Sequence, residues 1–127
     1  MLKSVHHIAT ICSNIETSKK FYTEILGLTI VQEVYRTERD SWKIDLALND
    51  NYVIELFSFP NSPKRVSRPE ALGLRHIAFS VENLSAAVEE LQLKSVSFEP
   101  IRVDEHTGKR FTFITDPDLL PIELYEL

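Results

Sequence analysis

Two histidines and two glutamates recur in the same order in the two halves of this chain. Residues 5–12 read VHHIATIC and residues 74–81 read LRHIAFSV, so His7 and His76 each precede Ile-Ala inside an apolar run of strand length. Further on, VIELF surrounds Glu55 and PIELY surrounds Glu123, at nearly the same spacing from the histidine of its half. Imidazole nitrogen and carboxylate oxygen are the donors a divalent transition metal takes, at about 2.0–2.2 Å. His7, Glu55, His76 and Glu123 would supply four ligands and leave a position open on an ion that takes five or six. Zinc, nickel, manganese, cobalt and ferrous iron all accept this mixture. Each residue alone reads more simply as a packed strand histidine or a solvent-facing glutamate. The joint repeat carries the metal reading, because four such groups gathered without a cation would meet a large desolvation cost.

The elements that must position these residues also repeat. Residues 4–12 are apolar and β-branched enough for a strand, with Val5, His7, Ala9 and Ile11 on one face. His6 then points to the opposite face and reads as a structural histidine near the helix. Ser13 to Glu16 reads as a capping box opening a helix that runs to about Leu26, and Gly27 is placed to end it. Leu28 to Arg36 is a second strand. Residues 40–59 form a hairpin turning at Asn49-Asp50-Asn51, with Val53, Glu55, Phe57 and Phe59 on one face of its return strand.

Residues 60–69 hold Pro60, Pro63 and Pro69 with Lys64, Arg65 and Arg68, and read as a surface linker. Residues 74–81 then form a strand, Asn83 caps a helix striped by Leu84, Ala87, Val88 and Leu91, and Val96 to Val103 is extended. Arg110 to Thr115 and Pro121 to Tyr125 make a hairpin across Asp116-Pro117-Asp118. Each half is therefore β-α-β-β-β. The sequence predicts an α+β fold, two tandem βαβββ modules forming a curved mixed sheet with helices on its convex face. The single domain over 1–127 divides into module 1 at about 1–60, the linker and module 2 at about 71–127.

Composition bounds the function. The 127 residues are 43% hydrophobic and 26% charged, an ordinary globular balance. A net charge of −5 without a long basic run argues against nucleic acid as a partner. The single cysteine, Cys12, cannot form an internal disulfide and fits a reducing compartment. Residues 1–12 lack a signal-peptide layout, and no apolar run approaches the roughly 18 residues of a membrane helix. The expectation is a cytoplasmic protein without membrane contact.

On VHHIATICSNIETSKKFYTEILGL, VIELFSF, LRHIAFSV and FTFITDPDLLPIELYEL the chain resembles the vicinal-oxygen-chelate superfamily over essentially its whole length. Members include glyoxalase I, methylmalonyl-CoA epimerase, thiol transferases that inactivate fosfomycin, and extradiol dioxygenases. The chain looks closest to the short glyoxalase-like proteins of bacteria. The resemblance makes His7, Glu55, His76 and Glu123 the ligands of one divalent ion per site, zinc or nickel first, with manganese, cobalt or iron as alternatives. It implies a lyase or isomerase of glyoxalase type acting on a small substrate with vicinal oxygens, such as the hemithioacetal of glutathione or another thiol. The alternatives are a metal-dependent thiol transferase or dioxygenase of the same fold, or a non-enzymatic small-molecule-binding protein.

In the glyoxalase reading a glutamate that can leave the metal is the proton-transfer base, Glu123 first and Glu55 second. Phe57 and Tyr125 should line the cleft. By alternation Lys43, Asp45, Arg110 and Thr112 lie near the same face, where they could hold a carboxylate or phosphate. The resemblance also implies a homodimer, since some related domains build each metal site from two chains. The family's Asp-Pro-Asp-Gly turn is Asp-Pro-Asp-Leu here, which leaves the shape of the turn at Leu119 open.

Overall fold

The computed structural model describes residues Met1–Leu127. The backbone divides into two compact units, Met1–Lys64 and Arg65–Leu127, and the division falls inside the proline-bearing segment 60–69. No helix is long and apolar enough to cross a membrane.

The first unit runs β1 (Ile8–Cys12), α1 (Ile15–Lys20), β2 (Thr29–Arg36), β3 (Ser41–Leu48) and β4 (Asn51–Ser58). Its sheet has the order β1-β4-β3-β2. β1 lies parallel to β4, while β3 is antiparallel to both β2 and β4. Alternation selects the faces: Ile44, Leu46, Ile54 and Leu56 are buried, whereas Lys43, Asp45, Glu55 and Phe57 project from the other side. Asn49 and Asp50 both take positive φ, 48° and 65°, which suits a two-residue turn that follows strand twist.

The helix of this unit ends at Gly27 as expected but differs from expectation at its cap and in its second half. Its cap is Asn14, not a Ser13–Glu16 box: Asn14 is extended, and its side-chain oxygen accepts from the backbone N–H of Thr17 at 3.0 Å. After Lys20 the helix widens into a π-helical stretch, Phe21–Ile25. Thr23 lies in that stretch, and its hydroxyl donates to the Lys19 carbonyl at 2.8 Å, a side-chain bond that competes with the helix ladder. The widening buries Phe21 and Tyr22 together, and Gly27 at φ 76° ends the element.

The second unit repeats the plan as β5 (Ile77–Val81), α2 (Leu84–Leu93), β6 (Arg102–Val103), β7 (Arg110–Thr115) and β8 (Pro121–Glu126), ordered β5-β8-β7-β6. Hydrogen bonding thus gives two four-stranded mixed sheets, one per unit. Of the extended stretch expected over Val96 to Val103, Arg102–Val103 forms a strand paired with β7, and Glu99 adds one N–H bond to the Phe113 carbonyl at 2.9 Å. Asn83 caps α2, accepting from Ala86, and Leu84, Val88 and Leu91 are buried.

Leu119 sits at φ 67°, so leucine adopts the left-handed conformation that glycine would take there. Buried Asp116 ties this turn down, its carboxylate accepting from the N–H groups of Asp118 and Leu120, both at 2.9 Å.

One ion pair joins the strand and helix layers of this unit. Arg110 donates to both oxygens of Glu126, at 2.8 and 2.6 Å, and Glu126 also accepts from the N–H of Leu84 at 3.0 Å. The Arg110 guanidinium, and then the Leu84 amide, lower the Glu126 pKa from 4.5 to about 2. A carboxylate depressed in the folded state contributes stability above its unfolded pKa and loses it as pH falls. Urea unfolding of wild type and Glu126→Gln should therefore show a gap that is full at pH 6. That gap should close as pH falls from 4.5 towards 2. A gap independent of pH would mean that the pair does not form in solution.

Candidate metal centre

The parallel pairing of first and last strand in each unit brings histidine to glutamate. Ala9 lies opposite Glu55 and Ala78 opposite Glu123. His7 and His76 stand two residues before those alanines, on the same face as the glutamates. The His7 Nε2 lies 3.7 Å from Glu55 Oε2, and the His76 Nε2 lies 3.1 Å from Glu123 Oε2. Both glutamate side chains are largely buried, with 16% and 14% exposure. The structure thus gathers the four expected ligands as two pairs, one in each unit, and no group of three or more histidine, cysteine, aspartate or glutamate side chains is placed to hold a metal. The donors fit such an ion: in each pair a ring nitrogen faces a carboxylate oxygen from a rigid strand.

The two pairs have different surroundings. In the first unit Asp45 stands directly across from Glu55, two like charges that would repel. Lys43 compensates, its ammonium 2.6 Å from Asp45 and 3.6 Å from Glu55. The hydroxyl of Tyr52 lies 2.6 Å from Glu55 and 3.1 Å from Asp45, and its ring stacks on His7 at 5.1 Å. Burial first, then the hydrogen bonds to Glu55 and Asp45, push the Tyr52 phenol well above its usual range, so it remains a donor. The Lys43 pKa is raised too, chiefly by its bond to Asp45.

Tyr52 is a residue that simple alternation misses. Strict period two would send it to the core side with Ile54. A register shift at Leu46/Ala47 pairs Leu46 with Ile54 but Ala47 with Tyr52, which turns Tyr52 to the Glu55 face. His6 departs from expectation as well. His6 lies two residues before β1 begins, where the alternation that still holds for His7 has ended. The His6 Nδ1 lies 2.7 Å from that of His7, one ring donating and the other accepting, and its ring meets Tyr52 edge-on.

In the second unit the rung across from Glu123 is Phe113, whose ring meets His76 edge-on at 5.2 Å. Glu123 has a polar contact with His76 alone. Tyr125 shares its face, and its hydroxyl bonds to Asp104 at 3.1 Å and to Thr107. Phe57 shares the Glu55 face, with the Arg36 guanidinium 4.8 Å above its ring. Lys43 and Asp45 lie beside Glu55 as alternation requires. Arg110 and Thr112 do not lie beside Glu123: the register places Thr112 opposite Leu124, on the core face. Arg110 is engaged by Glu126 and Ser85, while buried Thr112 donates to the Glu99 carbonyl at 2.6 Å.

The family model for the Glyoxalase/Bleomycin resistance protein/Dioxygenase superfamily matches residues 4–124. The chain belongs to this superfamily. It is 63% identical to the uncharacterized protein YaeR of Escherichia coli, covering 98% of this chain and 97% of that protein. The crystal structure of a glyoxalase family protein from Enterococcus faecalis superposes with a TM-score of 0.90 at 44% identity, covering 98% of both chains. More distantly, the chain is 26% identical to the lactoylglutathione lyase of Schizosaccharomyces pombe, over 94% of this chain and 46% of that protein. Superfamily membership gives the α+β fold its place and leaves the choice of reaction to the site.

Removing one oxygen tests the role of Tyr52. Tyr52→Phe should keep the stack on His7 and lose the bonds to two carboxylates, destabilising the protein by about 1–3 kcal/mol in urea unfolding. A loss within error of zero would show that the hydroxyl does not hold Glu55.

Proposed function

We propose that the chain is a divalent-metal-dependent lyase or isomerase of glyoxalase type, acting as a homodimer on a small substrate with two adjacent oxygens. The observation that carries this reading is the repeated pairing of a histidine Nε2 with a glutamate oxygen, at 3.7 Å in one unit and 3.1 Å in the other. His7, Glu55, His76 and Glu123 would hold the ion, one pair coming from each unit, of the same chain or of two chains. Zinc or nickel suits this donor set, as do manganese, cobalt and iron. A bound divalent ion would supply Lewis-acid stabilisation of negative charge developing on a substrate oxygen.

The surroundings of the two glutamates divide their work. Glu55 is anchored by Tyr52 and Lys43, which suits a fixed ligand. Glu123 has no such anchor and lies beside phenyl rings, which suits a carboxylate that moves. In a glyoxalase-type reaction Glu123 takes the proton from the carbon bearing sulfur and returns it to the neighbouring carbon. The thiol hemithioacetal becomes a thioester of a 2-hydroxy acid, with no net gain or loss of protons. Phe57 and Phe113 keep water from the carboxylates while the proton is in transit. The relationship to a lactoylglutathione lyase supports the hemithioacetal of methylglyoxal and glutathione as the first substrate to assay.

With zinc or nickel supplied, wild type should turn over this hemithioacetal. Glu123→Gln should lower kcat by about 10²-fold or more with little change in KM. Glu55→Gln should act mainly by weakening metal retention. No turnover with any of the five metals would contradict the glyoxalase assignment, and full activity in both variants would contradict the base.

A further inference from the structure

The second unit contains a cavity of about 860 Å³ with His76 in its wall. Its size is that of a small-molecule site. Four arginines line it, Arg65, Arg68, Arg75 and Arg102, against two glutamates, Glu70 and Glu99. An excess of positive charge is gathered here in a chain whose net charge is −5.

The four cations are not equivalent. Arg65 donates to the carbonyls of Leu74 and Arg75 at 2.7 and 2.9 Å and to Ser67 at 2.8 Å, so it braces the segment. Arg75 is committed to Glu70, with two nitrogens on one carboxylate oxygen at 2.9 and 3.2 Å. Arg68 and Arg102 share a single carboxylate, Glu99, at 4.0 and 3.0 Å. One carboxylate cannot neutralise two guanidinium groups, and Arg68 remains 82% exposed.

Of the two, Arg102 and the carboxylate it shares are held in place. Arg102 lies over the Phe111 and Phe113 rings at 5.0 and 5.8 Å. Glu99 is fixed through its backbone, by the Phe113 carbonyl at 2.9 Å and the Thr112 hydroxyl at 2.6 Å. The Phe113 ring beneath Arg102 is also the ring that meets His76. One phenyl ring therefore separates Arg102 from the histidine.

We propose that Arg68 and Arg102 form a recognition site for a substrate's anionic group, a carboxylate or a phosphate, with the Glu99 carboxylate occupying the place of that group when no ligand is bound. Guanidinium forks match the planar carboxylate and the phosphate, and the phenyl floor accepts an apolar segment next to the anion. The substrate class is then a small organic anion whose reacting end lies towards His76. That last placement rests on the metal-centre reading, whereas the anion site does not.

Calorimetric titration of EDTA-treated full-length protein with phenyl phosphate, benzoate and the neutral benzyl alcohol tests this directly. At least one anion should bind saturably and more tightly than the alcohol, and should weaken with added salt. Arg68→Glu should weaken binding roughly tenfold, as expected for reversing a charge at a solvent-exposed position. Glu99→Gln should tighten it, an effect that a purely structural arginine–glutamate pair would not produce. Absence of saturable binding by both anions would overturn the proposal, as would affinities unchanged in both variants. Turnover of the hemithioacetal without anion binding would remove this site and leave the metal centre. Anion binding, together with no metal in protein purified without chelator and none bound on titration, would do the reverse.

Discussion

The structure depends on the parallel registration of the first and last strand in each unit. A parallel pair places its strands' side chains in step, so the rung on which alanine meets glutamate also sets the histidine two residues earlier on the glutamate's face. A slip of one residue would turn every one of these side chains to the other side of the sheet. The core prevents that slip. Ile54, Leu56 and Ile122 are all but inaccessible to solvent, and Leu124 is 7% exposed. Burying one face of β4 and β8 thereby fixes the direction of Glu55 and Glu123 on the other. Packing and site geometry are one constraint seen from two sides.

Within this shared frame the units have diverged at the rungs beside the glutamates. Lys43 and Asp45 in β3 correspond to Phe111 and Phe113 in β7, since they face Phe57 and Glu55 as the phenylalanines face Tyr125 and Glu123. One carboxylate is consequently held in a hydrogen-bonded cluster with a lysine and a tyrosine, and the other rests among aromatic rings. A duplicated scaffold that kept both pairs of donors while changing their neighbours can assign the two glutamates different work. The first cluster favours a carboxylate that stays in place. The second leaves its carboxylate with His76 as its one polar contact.

Much of this was legible in the sequence because it follows from periodicity. The two βαβββ halves, the turn at Asn49-Asp50, the Asn83 cap and the shared face of His7 with Glu55 all follow from alternation or turn chemistry. What was not legible came from departures from regular period. The register shift at Leu46/Ala47 redirects Tyr52, and no local composition marks it. The chain ahead of His7 leaves the regular strand path, so His6 joins Tyr52 instead of the helix. Thr112 lies opposite Leu124 and not beside Glu123, because the frame of β7 is set by its pairing with β8. The competition between Asn14 and Ser13 for the cap was decided by backbone conformation one residue further on.

The central claim is that these two histidine–glutamate pairs bind metal. Elemental mass spectrometry tests it on protein purified without added metal or chelator, with His7→Ala and His76→Ala in parallel. Roughly one divalent transition-metal ion per chain is expected in the wild type, lost in both variants while they remain folded. Wild-type protein that carries no such ion and binds none on titration would contradict it.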